Sequence, residues 1–354
     1  MMNTTKAQGD LRSKPSLGML LLKGRTFIAL LILLIFFSFR APNFTQWGSV
    51  VLMVKHASIY GLLALGMTMV IITGGIDLSV GSIVGLTGMI AGGLMIQGFR
   101  LPWIAGTIYP NVPLILLVLF VLAIFVGWVS GQLIARLRVP AFIATLGTMY
   151  ICRGAAMLRS GGATFPNLFG DAAKGNLGFD LIGSGSIPGI DVPYSILIFI
   201  VMAFISAFIM KKTPLGNQIY AVGGNERAAQ LSGIKIQKVK VFVYMFSAIL
   251  AAMSGIIMTS QLRAAHPANG ESWEMNAIAS VVLGGTSMSG GVGTIGGTII
   301  GILVITVLND GMIMMGVSSF WQMVIKGVVI IVAVVIDLVQ KDLQKKAALA
   351  ARMK

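Results

Sequence analysis

Apolar runs of about twenty residues follow one another along this sequence with short interruptions. A helix that crosses the hydrocarbon core of a bilayer needs about 20 mostly apolar residues. The runs predict ten helical spans, at residues 24–41, 48–72, 78–98, 112–135, 139–159, 193–210, 239–260, 274–290, 294–315 and 321–339. Of the 354 residues 56% are hydrophobic and only 10% are charged, whereas soluble domains carry about 25% charged residues. We therefore predict an all-α, polytopic integral membrane protein, and a soluble enzyme is excluded.

The basic residues predict how the chain is oriented. Eighteen of the 26 Lys and Arg residues lie in the N-terminal tail, the 136–138 turn, the 211–240 loop and the C-terminal tail. With ten spans these segments share one side, which the positive-inside rule makes cytoplasmic. Both termini are then cytoplasmic, and the net charge of +15 reflects membrane topology rather than nucleic-acid binding. The predicted parts are a basic tail (1–24), a transmembrane domain (25–340, with a cytoplasmic loop at 211–238) and a second basic tail (341–354).

The residues predict no catalytic or metal centre. His56 and His266 lie far apart, and the single cysteine, Cys152, excludes an intramolecular disulfide. The phosphate-binding pattern Gly-x-x-x-x-Gly-Lys-Ser/Thr does not occur, so this chain is not expected to hydrolyse ATP itself. Lys55 and Arg153 fall inside predicted spans, where a misplaced span boundary is the commoner explanation.

Residues 74–81, Gly-Gly-Ile-Asp-Leu-Ser-Val-Gly, join two apolar runs almost without a polar spacer. Irregular backbone at membrane depth is tolerated where it is buried in protein or lines a cavity. Asp77 and Ser79 are therefore candidates for the translocation pathway, since a carboxylate inside the membrane is often functional. The alternative is structural, because both side chains are good caps for the following helix.

A second Gly-rich stretch, residues 284–291, matches the first at an offset of 210. Paired Gly-interrupted segments in two halves of a chain indicate a central pathway, so Ser287 and Ser289 are also candidate pathway residues. Six predicted spans separate the copies, which makes them parallel, whereas an inverted five-plus-five repeat requires opposite orientations. Asn309 is a further pathway candidate, although Asn309–Gly311 is expected chiefly to cap an outer helix end.

The loop between the sixth and seventh predicted spans contains a short helix signal. Asn225 is a good N-cap, Glu226 suits the positive N-terminal end of the helix dipole, and Gly233 is a stop signal. A helix of two turns is unstable alone, so something must hold it in place. A docked cytosolic protein is the favoured explanation, and a helix lying on lipid headgroups is the alternative.

Four stretches resemble the permease subunits of bacterial ABC sugar importers of the ribose/galactose/arabinose group. They are residues 74–81, 140–154, 215–234, and 284–297 with 321–337. The resemblance implies a second permease copy or a paralogue, a cytosolic dimer of ABC ATPases that binds ATP and Mg²⁺, and a periplasmic or lipid-anchored sugar-binding protein. This chain would need no cofactor. The resemblance also makes the 225–233 helix the ATPase-coupling helix, with the residues Asn225, Glu226, Arg227, Ala228, Ala229 and Gly233.

The function predicted from this resemblance is ATP-driven import of a monosaccharide or similar polyol across the bacterial inner membrane. Within this class, a sugar alcohol, a signalling furanose or a nucleoside remains open as substrate. An ion-coupled secondary carrier is the alternative from another class. It would need ion ligands within the membrane, for which Asp77 is the plausible residue. A third possibility, a membrane scaffold that transports nothing, is disfavoured because such a protein has no need of spans interrupted by glycine.

Overall fold

The computed structural model describes residues 17–99 and 106–352, and in these ranges the chain is helical, without strands beyond isolated bridges. One short 3₁₀-helix spans Ala172–Lys174. The thirteen α-helices are α1 (Leu17–Arg40), α2 (Trp47–Ile72), α3 (Val80–Ile96), α4 (Val112–Ala135), α5 (Ala141–Leu158), α6 (Leu181–Ser184), α7 (Tyr194–Lys212), α8 (Pro214–Gly224), α9 (Glu226–Leu231), α10 (Ile236–Leu262), α11 (Trp273–Leu283), α12 (Ile295–Met314) and α13 (Ser319–Arg352). The predicted all-α, polytopic fold is confirmed.

Within these ranges, seven helices are long and apolar enough to cross a bilayer: α2, α4, α5, α7, α10, α12 and the Ser319–Ile336 part of α13. Three further apolar helices are shorter, namely Thr26–Arg40 within α1, then α3 and α11. The ten together occupy the ten predicted segments. The eighth segment was drawn too long, since α11 ends at Leu283 where the Gly-rich stretch begins.

Helix α10 is the centre of the bundle and packs against α2, α3 and α4. Small residues allow these close approaches, as is usual between membrane helices. Gly66 of α2 lies against Ser247 of α10, and Gly127 and Gly131 of α4 lie against the α10 backbone. Helices α4, α5, α7 and α13 instead expose much of their apolar surface, for example Phe204 at 73%. These exposed faces suit contact with lipid.

Helices extend into both predicted tails where the structure describes them. Helix α1 already begins at Leu17, before the predicted boundary at residue 24, and residues 1–16 lie outside the described ranges. At the other end, α13 continues past residue 340 to Arg352. The predicted C-terminal tail is helical because its Lys, Gln, Leu and Ala residues favour helix and no Gly or Pro interrupts them.

Candidate functional site

The predicted short helix of the 211–238 loop is present as α9 (Glu226–Leu231). The side-chain oxygen of Asn225 accepts a hydrogen bond of 2.9 Å from the Ala228 N–H and so caps the helix. Gly233 ends the segment with a φ of 84°, which a residue without a Cβ adopts without strain. An ion pair of 2.8 Å joins the Glu226 carboxylate to the Lys240 ammonium and ties α9 to α10.

One face of α9 is free for a partner. Arg227 and Ala228 are exposed, and Leu231 is 84% exposed, whereas Ala229 packs inward. An exposed leucine beside an exposed arginine, on a helix too short to be stable alone, is typical of a protein contact. The coupling role of these residues remains a prediction.

Helix α8, which the sequence analysis missed, connects α9 to the bundle. Its first turn is capped by the Thr213 hydroxyl, which accepts from the Gly216 N–H, and Pro214 occupies the first helical position. The Tyr220 hydroxyl donates to the Gly293 carbonyl at 2.8 Å, and burial raises the pKa of Tyr220, so this hydroxyl keeps its proton. The sequence did contain signals for α8 close to its ends, namely Thr213-Pro214 at its start and Asn225 directly after its last residue.

The two Gly-rich stretches meet at the C-terminal end of α8. The Gly291 N–H donates to the Ile72 carbonyl at 2.9 Å, which joins the second stretch to the end of α2. Gly223 of α8 lies against both groups, so closely that a Cβ there would overlap the Ile72 carbonyl oxygen. Helices α2 and α11 thus end side by side at the end of the bundle that carries α8 and α9, which is the parallel arrangement the span count required.

The structure corrects the register of the internal repeat. Helices α2 and α11 both end in a left-handed glycine, Gly74 with φ 80° and Gly285 with φ 86°. In each case the next residue donates back into the last turn, which completes a Schellman motif. These helix ends correspond at an offset of 211, not 210. The following turns do correspond at 210, because Asp77 accepts from the Ser79 N–H and Ser287 accepts from the Ser289 N–H.

Asp77 is buried, with 2% of its surface exposed, and it serves as a structural tie. One carboxylate oxygen accepts from the N–H and hydroxyl of Ser79, at 3.0 and 2.6 Å. The other accepts from the Ser247 hydroxyl of α10 at 2.9 Å. Ser79 is the N-cap residue of α3 but its side chain does not cap that helix, because its hydroxyl donates to Asp77 instead. The cap expected of the Ser79 side chain is therefore absent from α3, and the pathway role of Asp77 and Ser79 remains a prediction.

The remaining pathway candidates differ in their burial. Ser287 is buried and Ser289 is exposed. Asn309 is buried inside α12 and does not cap a helix end, so that expectation was wrong. The helix continues to Met314, and Asp310 has a partner within the bundle, since its carboxylate lies 3.0 Å from Nδ1 of His56 on α2.

A basic cavity of about 1140 Å³ opens beside α9. The turn between α4 and α5, helices α8 and α9 and the start of α10 form its walls, and Gly74 and Gly75 also line it. Its cationic lining residues are Arg136, Arg138, Arg227 and Lys240. Two of the four basic segments therefore reach one end of the bundle, as the predicted orientation requires.

Helices α3 and α11 begin inside the bundle and meet at their N-terminal ends. Gly81 packs so closely on Gly270 and Glu274 that a Cβ at Gly81 would overlap both. The Arg153 guanidinium of α5 donates to the carbonyls of Pro267 and Asn269, at 2.5 and 2.9 Å, and fixes the backbone before α11. Glu274 lies in the first turn of α11, where the helix dipole favours a carboxylate.

The contact between the N-terminal ends of α3 and α11, and the part that Arg153 plays in it, were not predicted from the sequence. Arg153 was attributed to a misplaced span boundary, yet it lies within α5 and binds backbone carbonyls more than a hundred residues away. The available signal was the charge itself, since a cation within an apolar helix needs a partner. The identity of that partner depends on the tertiary fold.

Helices that begin inside the bundle and irregular glycine-rich links are typical of membrane transport proteins, a class in which substrate paths are built from discontinuous helices. The chain belongs to the family described as "Branched-chain amino acid transport system / permease component", which it matches over residues 49–334. It is accordingly a multi-pass protein of the bacterial inner (cytoplasmic) membrane.

Three relatives show the range of the similarity. The chain is 42% identical to a ribose import permease protein of Haemophilus influenzae, over 91% of this chain and 94% of the relative. It is 42% identical to a ribose import permease protein of Bacillus subtilis, over 88% and 91%. It is 31% identical to a xylose transport system permease protein of Haemophilus influenzae, over 88% and 94%. No solved structure matches the chain.

Proposed function

We propose that this chain is the membrane-spanning permease subunit of an ATP-binding-cassette importer for a monosaccharide or a similar polyol. The observation that carries the mechanism is α9, an exposed helix held by an ion pair beside the point where both Gly-rich stretches meet. The similarity to ribose and xylose permeases along nearly the whole chain supports the substrate class. The chain has no ATPase site of its own under this proposal.

The proposed partners supply the functions that this chain lacks. A cytosolic dimer of ABC ATPases binds ATP and Mg²⁺ and contacts α9. A second copy of this permease, or a paralogue, completes the membrane part. A periplasmic or lipid-anchored binding protein delivers the sugar, so the permease needs no high-affinity site and no cofactor.

The contacts offer a route for movement from α9 to the interior. The Glu226–Lys240 ion pair connects α9 to α10, and Ser247 of α10 holds Asp77 at the start of the α3 segment. Gly223 of α8 lies against the second Gly-rich stretch. A displacement of α9 by the ATPase would therefore shift both Gly-rich links, and we propose that this shift alternates access to the pathway.

The ion-coupled carrier is less well supported. Asp77, the residue singled out as an ion ligand, already accepts three hydrogen bonds from Ser79 and Ser247. An ion would have to displace these donors from a buried carboxylate.

The test is uptake into proteoliposomes that contain this chain with its co-purified ATPase and binding protein. We expect accumulation of labelled ribose or xylose only with enclosed ATP and Mg²⁺, and no uptake with an ATPase variant that cannot hydrolyse ATP. Competition by sugar alcohols and nucleosides would rank the other substrate classes. Uptake driven by a sodium or proton gradient without nucleotide would contradict the proposal and favour the secondary carrier.

A further inference from the structure

Glu271 and Ser272, just before α11, are exposed although they lie at the level of the bilayer interior. Their depth follows from the neighbouring residue, because the Trp273 ring meets the Tyr60 ring of α2 with centroids 4.7 Å apart. Tyr60 precedes the end of α2 by twelve residues, which is about 18 Å of helix. The end of α2 contacts Gly223 of the loop helix α8, which places it at the edge of the membrane. With a hydrocarbon core of about 30 Å, Trp273 then lies roughly 10 Å or more from either boundary.

A second set of contacts agrees with this depth. Gly270 packs on Gly81 and Val84, in the first turns of α3. Val84 faces Gly255 of α10, and the next hydroxyl along α10, that of Ser254, donates to the Ile59 carbonyl of α2 at 3.1 Å. Ile59 adjoins Tyr60, so two independent sets of contacts place residues 270–273 at one level, inside the membrane.

An exposed carboxylate at this level cannot face lipid without a large cost, because charged side chains inside membranes face a protein interior or a water-filled cavity. The backbone here is also irregular, and such backbone is tolerated only where it is buried in protein or lines a cavity. Glu271 and Ser272 are exposed in the single chain, so the space they face is closed by other protein. In the assembled transporter these two residues face either another protein surface or a water-filled space.

We propose that Glu271 and Ser272, with the rings of Trp273 and Tyr60, form a sugar-contact site within the translocation pathway. This inference rests on the proposed function. A carboxylate accepts hydrogen bonds from two adjacent hydroxyl groups, and a serine hydroxyl both donates and accepts. Aromatic rings offer an apolar face to the C–H groups of a sugar ring.

Arg153 is the positioning residue of this site. Its hydrogen bonds to the Pro267 and Asn269 carbonyls hold the loop that carries Glu271 and Ser272. The ligand class is a polyhydroxylated solute with neighbouring hydroxyl groups. None of the pathway residues predicted from sequence belongs to this site.

The first experiment measures water access. In a Cys152→Ala background, which removes the single and buried cysteine, Ser272→Cys is expressed with the complete transporter in right-side-out membrane vesicles. We expect a charged, water-soluble thiosulfonate to modify this thiol at least tenfold faster than the thiol of Phe204→Cys. Phe204 is the matched control, because it is 73% exposed and lies in the middle of the apolar helix α7. Glu271→Cys serves as a second reporter if Ser272→Cys does not assemble.

Equal, slow modification of the reporter and control thiols would overturn the site. Uptake by the same vesicles that still requires ATP would show that the proposed function survives this failure.

The second experiment measures sugar contact. We expect Glu271→Gln to lower the number of ribose molecules transported per ATP hydrolysed at least threefold, while the ATPase activity stimulated by the loaded binding protein stays unchanged. A merely structural residue would lower both activities together. The control is Asp171→Asn, an exposed carboxylate of the loop between α5 and α6, which should change neither. An unchanged transport ratio in Glu271→Gln would overturn the assignment.

Discussion

Two adjacent glycines of α8 provide a sharp test of the packing at the functional end. A Cβ at Gly223 would overlap the Ile72 carbonyl oxygen, whereas a Cβ at Gly224 meets no atom of residues 17–99 or 106–352 within 4 Å. Both residues lie in the last turn of one helix, so Gly→Ala gives each the same gain of about 0.5–1 kcal/mol in helix propensity. Gly224→Ala should therefore be neutral or slightly stabilising.

Gly223→Ala should be destabilising despite that gain. Overpacking of this kind costs about 1–3 kcal/mol, and separating α8 from α2 also weakens the hydrogen bond between the Gly291 N–H and the Ile72 carbonyl, worth about 1 kcal/mol. We expect the two variants to differ by about 2–4 kcal/mol in the free energy of unfolding, measured by equilibrium unfolding in mixed micelles. Sugar uptake should fall with Gly223→Ala alone. Equal stability of the two variants would refute the close contact between α8 and α2.

Three further predictions concern single contacts. Lys240→Ala should lower uptake without lowering the amount of protein in the membrane, because an exposed ion pair adds at most about 1 kcal/mol to stability. The charge exchange of Glu226→Lys with Lys240→Glu should restore uptake, and failure to restore it would contradict the link between α9 and α10. Ser247→Ala should lower the free energy of unfolding by about 1–3 kcal/mol, since it removes a hydrogen bond to a buried carboxylate. Ser195→Ala should have little effect, because this equally buried hydroxyl has no hydrogen-bond partner among the described residues. Equal losses of stability in the two variants would contradict the role of the Ser247 hydrogen bond. Gly233→Val should reduce uptake, because position 233 has a left-handed backbone that valine adopts only with strain. Gly233→Asn should be tolerated, since asparagine adopts this conformation more readily. Equal uptake by both variants would contradict a requirement for the left-handed conformation at this position.

The spans and the loop helix were predictable because their signals are local. Apolar length alone located the ten segments, and the caps of α9 are contiguous in sequence. The termini of α3 and α11 were less accurate, because glycines permit a break without fixing where the helix resumes. Gly74 and Gly285 both end helices, and only their observed φ angles show that the repeat is offset by 211 at this point.

The contacts of the interior were not predictable, because their partners are distant in the chain. Asp77 could be recognised as a cap, but its tie to Ser247 spans 170 residues. Asp310 was expected within a cap at a helix end, and only the fold supplies His56 as its partner. The exposed Glu271 carried no sequence signal of its depth, since depth follows from how α11 meets α2.

The central claim is that a cytosolic ATPase moves this protein by contacting α9, and cross-linking tests it most directly. A photoreactive amino acid replaces Leu231, which is 84% exposed, or Phe204, which is 73% exposed on α7, in cells that express the complete transporter. We predict a covalent adduct with the ATPase from position 231 and none from position 204. An adduct of position 231 with the external binding protein, or no ATPase adduct from an intact complex, would contradict the claim.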